Sequence, residues 1–252
     1  MGSISISLIT FLCLLLGILA GIRLQCLLPD HHLSSDAKDT VKLGAGMVAT
    51  MSALILGLLV SSSKSAFDGA NTAFAQNAAR VIQLNDCLKE YGEGSTAVRE
   101  RLVEGLRARI QDIWSTTNQE HGMRAIEHSN AMVAFDQLLR QLNPTNDVQR
   151  IMLARAEQLA FDIRYSRLQV IAQQTQELPG PLLMLMVFWL TLLFLSFGLF
   201  APRNITVFAV LAVCAISVSS AVFLILEMSH PLDGLIKVSS GPLYKALELI
   251  QH

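Results

Sequence analysis

Apolar positions fall into long unbroken runs rather than short alternating stretches. Four stretches hold no charged side chain: residues 1–22, 43–63, 178–202 and 204–226, of 22, 21, 25 and 23 residues. The longest uncharged run elsewhere is 11 residues, 69–79. A bilayer core of about 30 Å needs roughly 20 apolar helical residues to cross it. The pattern therefore predicts an all-α polytopic membrane protein with four transmembrane helices. The first span runs from about Ile4 to Gly21. A cleaved signal peptide would place positive charge before the apolar run and a small-x-small site after it. Here the first charge, Arg23, follows the run, and Leu24-Gln25-Cys26-Leu27-Leu28 offers no such site, so a retained span is expected. The second span lies between Lys42 and Lys64. The third begins after Pro179-Gly180-Pro181 and ends near Phe200. The short Ala201-Pro202-Arg203-Asn204 connection makes an antiparallel hairpin with the fourth span, Ile205 to about Met228.

Between spans two and three, the pattern changes to helical periodicity with charge. Residues 64–177 carry 13 basic and 14 acidic side chains, which predicts a helical extramembrane domain. Phe67, Phe74, Val81 and Leu88 recur every seven residues, with Ala70, Asn77, Leu84 and Tyr91 at the other seam position. This is a heptad stripe. Only Gly69 interrupts the path from the second span, so one helix is expected to continue to about residue 91. The stripe predicts either bundle core or a seam between subunits. Tyr91-Gly92-Glu93-Gly94-Ser95 predicts a turn. A second helix places Val98, Leu102, Leu106, Ile110 and Ile113 on one face. A third, after Gly122, uses Ile126, Val133, Phe135, Leu138, Leu139 and Leu142, and Asn143-Pro144 stops it. Asn146 with Gln149 resembles a capping box for a fourth, whose face reads Val148, Ile151, Met152, Leu159, Ile163 and Val170. The expected division is 1–63 with a short loop at 29–41, then 64–177, 178–228 and an amphipathic end segment, 229–252. That last segment, with Leu243, Leu247 and Ile250 on one side, lies along the interface or packs on the bundle.

Composition adds three points. Only 15% of residues are charged, against about 25% in ordinary soluble domains, and the deficit is confined to the four spans. A net charge of −1 removes the electrostatic footprint of a nucleic-acid binder. Four spans put both termini and the 64–177 domain on one side. The excess of Lys and Arg there favours the cytoplasmic side, which leaves loop 29–41 facing outward.

Candidate chemistry is sparse. Cys13, Cys26, Cys87 and Cys214 form no CxxC or zinc spacing, and read as small apolar residues. His31-His32 beside Asp30 and Asp36 invites a metal or pH reading, against an ordinary solvated loop. His121 and His128 have no third ligand. HExxH, GxSxG, P-loop and GxGxxG signatures are absent, so neither an enzyme nor a cofactor is expected. The most informative element is the second span, where Ala45, Ala49, Ala53, Gly57 and Ser61 recur every four residues, with Thr50, Ser52, Ser62 and Ser63 adding hydroxyls. Small residues permit close helix packing or leave room along a pore wall. Gly17 and Gly21 form a similar pair in the first span. Ionisable groups are nearly absent from the spans. That weighs against a proton-coupled carrier and is compatible with a channel.

Several motifs carry a family resemblance. Leu28-Pro29-Asp30-His31-His32-Leu33 is similar to an LPxxHL element. Ala53 to Val60, followed by Ser63-Lys64-Ser65, resembles an ALxLGLLV…AKS element, and Tyr91-Gly92 with Arg99 fits the same pattern. Most specific is Phe197-Gly198-Leu199-Phe200-Ala201-Pro202-Arg203-Asn204, followed by Ala215-Ile216-Ser217, Phe223 to Glu227, Pro231, Gly234-Leu235-Ile236 and Ser239-Ser240. Together they resemble the bestrophin-like DUF4239 membrane proteins over nearly the whole chain. Bestrophins are pentameric anion channels with four-span subunits and a helical cytoplasmic region. The resemblance implies a homo-oligomeric, anion-conducting channel, by analogy a pentamer, in a prokaryotic plasma (inner) membrane. No bestrophin neck or calcium-clasp pattern is recognisable, so no pore residue is carried over from the family. The competing reading is a non-conducting scaffold or sensor that holds partners through the 64–177 domain.

Overall fold

The computed structural model describes residues 2–28, 35–114, 134–174, 180–202, 204–232 and 235–251. Among the described residues the α-helices are, in order, α1 (Ser3–Leu27), α2 (Ser35–Tyr91), α3 (Thr96–Trp114), α4 (134–140), α5 (Asp147–Gln174), α6 (Gly180–Phe200), α7 (Ile205–Ser229) and α8 (Gly241–Gln251). No strand occurs among the described residues. Four helices, α1, α2, α6 and α7, are long and apolar enough to cross a membrane. Pro29, His31, His32, Arg203, Gly234, the His121/His128 pair and the start of the expected third helix lie outside the described residues.

The chain divides into two compact units, Met1–Phe67 with Gln176–Lys237, and Asp68–Thr175 with Val238–His252. The first boundary falls inside α2, which runs unbroken through Gly69 for 57 residues. At 1.5 Å per residue that helix is about 85 Å long.

In the first unit, Leu14 and Ile18 of α1, Leu59 of α2, Met186, Leu190 and Phe194 of α6, and Val222 and Ile225 of α7 form the core. Leucine, isoleucine and methionine on the outer surfaces remain exposed, as lipid-facing residues must be. Asn204 caps α7, its side-chain oxygen accepting from the Thr206 N–H at 3.1 Å. Across the short hairpin connection, the Gln25 amide donates to the Ala201 carbonyl at 3.4 Å.

In the second unit, the heptad stripe is interior. Ala70, Phe74, Asn77, Val81, Leu84, Leu88 and Tyr91 are all buried; Phe67, the last residue of the first unit on this helix, is half-buried. The stripe is filled by the chain's own helices, so it is not free to join subunits. The Phe74 ring meets Trp114 edge-on at 5.6 Å, and the Trp114 indole N–H donates to the Val238 carbonyl at 3.0 Å. Leu243, Ala246, Leu247 and Ile250 of α8 are buried in the same unit.

Two local devices set the turns. Gly92 adopts φ 102°, a left-handed conformation that a side chain resists. The Ser95 hydroxyl closes that turn on the carbonyls of Leu88 and Gly92. At the start of α5, Asn146 accepts from the Gln149 N–H at 2.8 Å, while Gln149 accepts from the Thr145 N–H at 2.8 Å. Gln149 also donates to the Tyr91 carbonyl at 3.0 Å, tying the cap to the end of α2.

The apolar face expected for α5 needs correction. Leu159, Ile163 and Val170 are buried with Ala156 and Ala160. Val148 and Ile151 are 53% and 61% exposed. The small Ala156 and Ala160, which a hydrophobic reading underweights, mark the true inner face. Ile151, Phe161, Tyr165 and Leu168 lie on the other side, exposed, with Phe161 and Tyr165 stacked at 6.2 Å.

Candidate functional site

Of all the helices, α2 carries the most residues with candidate chemistry. Its membrane segment shows three sectors. Ala45, Val48, Ala49, Ser52, Ile55, Leu56, Leu59 and Ser63 face the unit's core. Leu43, Met47, Met51, Leu54 and Leu58 form a large apolar surface, each at least half exposed. Between them lie Gly46, Thr50, Ala53, Gly57 and Ser61, all small and all exposed. A Cβ built on Gly46 or Gly57 would meet nothing within 4 Å.

The stripe of period four is therefore not one face. Positions four apart advance by about 40° around a helix, so a line begun at Ala45 has turned by about 160° at Ser61. Ala45 and Ala49 lie against the core, beside Phe197 and Phe200. Ala53, Gly57 and Ser61 have rotated into the open and join Thr50 there.

Close helix contact is made elsewhere. A Cβ on Gly17 would stand 2.8 Å from the Thr191 carbonyl oxygen, and one on Gly21 would collide with the Leu195 carbonyl. From the other helix, a Cβ on Gly198 would collide with the Ile18 carbonyl. Gly17, Gly21 and Gly198 thus let the backbones of α1 and α6 touch, as small residues do in membrane helix pairs.

Two groups stand out among the hydroxyls of the spans. Thr10, Thr50, Thr191, Ser196, Ser217 and Ser220 donate back to carbonyls three or four residues earlier, the ordinary resting state of such side chains in a helix. Ser52, Ser63 and Ser219 are buried with no partner for their hydroxyl oxygens.

The family-motif residues have mainly structural surroundings. Glu227, 3% exposed, accepts from the backbone N–H groups of Leu235 and Ile236, so it holds the segment after α7 against the helix end. Pro231 is buried beside it in sequence, and Pro202 is exposed. Lys64 is exposed at the end of the apolar segment of α2. Replacing Glu227 with alanine is expected to lower stability by about 1–3 kcal/mol, the usual penalty for stranding buried hydrogen-bonding groups. Glutamine, which keeps an acceptor, should lose less. Thermal melting of the purified protein measures the difference, and equal melting of all three proteins would remove this role.

Among the described residues, no group of three or more His, Cys, Asp or Glu is placed to hold a metal. None of Cys13, Cys26, Cys87 and Cys214 is in a disulfide. Burial pushes the Cys87 thiol above its ordinary value, against the opposing charge of Arg155.

A family model for a bestrophin-like domain matches residues 12–243. No curated protein and no solved structure matches the chain.

Proposed function

Because the chain belongs to the bestrophin-like family, whose model spans nearly all of it, and has four helices long and apolar enough to cross a membrane, we propose that it assembles with copies of itself into an ion channel lined by α2. The observation that carries this reading is the uncovered small sector of α2, Gly46, Thr50, Ala53, Gly57 and Ser61. A surface turned to lipid has no need of small side chains. Hydroxyls and exposed backbone are suited to line a water-filled path or to admit a neighbouring helix. Selectivity for anions is favoured by the family relationship, as is an assembly on the pentameric plan.

Self-association draws support from outside the spans as well. Ile151, Phe161, Tyr165 and Leu168 of α5 are each more than half exposed, on a helix that is no membrane span and so has no lipid to cover it. Large exposed apolar side chains outside a membrane span are suited to a protein interface. A second copy of the chain is the simplest cover. The excess of Lys and Arg on the side that holds this domain and both termini supports a cytoplasmic orientation for them. The scaffold reading loses its main surface, since the heptad stripe is filled within the chain.

The test is direct. Purified protein in a planar bilayer should give a steady current under an anion gradient, and its mass in detergent should be a multiple of the 27.6 kDa chain. A monomer without current at any voltage, gradient or pH would sink the proposal.

A further inference from the structure

The extramembrane unit holds a cavity of about 80 Å³ among α2, α3, α4 and α5. Its walls are apolar, with Val81, Leu84, Leu102, Leu106, Phe135 and Ile163, yet three arginines, Arg101, Arg109 and Arg167, also line it. Arg101 is engaged with Glu104 at 2.8 Å. The nearby Arg164 is engaged with Asp136. Arg109 and Arg167 are half-buried and have no ion pair among the described residues. They come from different helices, α3 and α5, and meet at one cavity.

Two guanidiniums lining one largely apolar cavity are unfavourable unless an anion joins them. Burial, and then the charge of Arg167, lower the Arg109 pKa to about 10. A guanidinium stays charged in proteins, so a half-buried one is stabilised by an anionic partner. A free inorganic anion would satisfy the charges and leave the apolar walls unused. The size is below the 300–1,000 Å³ or so of drug-sized pockets, so the occupant is small.

We propose that this cavity binds a short-chain organic monocarboxylate, its carboxylate held by Arg109 and Arg167 and its hydrocarbon against Leu84, Leu102, Phe135 and Ile163. The site is separate from the α2 sector and does not depend on ion conduction. Arginine suits the role because its planar donors accept a carboxylate in two parallel hydrogen bonds.

Gly105 supplies a test that spares the fold. It lines the cavity, lies within α3, and a Cβ there would meet nothing within 4 Å. Leucine at this position fills the space and favours the helix. The full chain in lipid nanodiscs is titrated with hexanoate by equilibrium dialysis, with empty nanodiscs subtracted and hexanol and acetate as comparators. Saturable hexanoate binding is expected, with hexanol and acetate each weaker by about tenfold or more, matching loss of the charged hydrogen bonds or of the apolar contact. Gly105→Leu should abolish binding with its melting temperature kept or raised. Arg167→Gln should weaken it by about tenfold. No saturable hexanoate binding to the folded protein would overturn the proposal. So would acetate binding as tightly as hexanoate, or hexanoate binding unchanged in Gly105→Leu, which would place the ligand elsewhere.

Discussion

Leucine at position 21 is expected to unfold the membrane unit, while leucine at position 57 leaves it folded. Both are glycines in apolar helices, and neither has an unusual backbone angle. They differ in what stands beyond the missing side chain. At Gly21 the first atoms a Cβ meets are backbone: the Leu195 carbonyl oxygen, the Leu199 nitrogen at 2.7 Å and the Gly198 carbonyl carbon at 3.0 Å. No rotamer change relieves a clash with backbone, so α1 and α6 must separate. Separation strips the packing of Leu14 and Ile18, both fully buried, from Leu190 and Phe194. Overpacking a core typically costs 1–3 kcal/mol, and rigid backbone on one side puts Gly21→Leu at about 3 kcal/mol or more. That is a large share of the 5–15 kcal/mol or so that holds a domain together. Gly198→Leu meets the Ile18 carbonyl and should behave alike. Gly17→Ala, whose nearest neighbours include a movable Thr191 methyl at 3.3 Å, should be milder. Thermal stability in detergent, read by loss of the monodisperse species, checks the series. Wild-type melting of Gly21→Leu would mean that α1 and α6 do not touch there.

Gly57→Leu is expected to abolish ionic current without harming the chain's own fold. Nothing in the chain lies within 4 Å of the added Cβ, and exchanging glycine for leucine favours the helix by up to about 1 kcal/mol. Any effect must then arise in the assembly, either by blocking a path or by holding neighbouring subunits apart. Ala53→Leu, on the same sector and also exposed, should act the same way. Leu54→Ala is the control, because Leu54 is 76% exposed on the large apolar sector that the channel proposal turns to lipid. Current and oligomer mass measured together separate the two routes: lost current at unchanged mass indicates a blocked path, and lost mass indicates a broken interface. If both stay unchanged, this sector faces lipid, and α2 is not the lining helix.

The spans were legible because a bilayer imposes a crude filter. About twenty successive residues must avoid charge, and four runs do. The heptad from Phe67 to Tyr91 was legible for a similar reason, since a long regular helix turns spacing directly into a face. Where packing depends on which small residue meets which backbone, spacing fails. The stripe from Ala45 to Ser61 looked like one surface and winds across two. The Gly17–Gly21 pair looked equivalent to it and is the true contact, because Gly198 answers it from a helix 177 residues further along. Gly198 stood out in the sequence only as part of a family motif, with no sign of its partner. On α5, hydrophobicity points Val148 and Ile151 inward, although alanines take the inner face.

The amino-acid sequence by itself determined the number of spans, the helical character of the extramembrane segment, the cap at Asn146 and the family. Each depends on residues within a few turns of one another, or on motifs that survive without coordinates. Only the tertiary structure decided which glycines are locked, which sector of α2 is left uncovered, and that Arg109 and Arg167, 58 positions apart, share one apolar cavity. Those properties depend on distances between helices, which arise when all of them pack at once, and no local pattern encodes them.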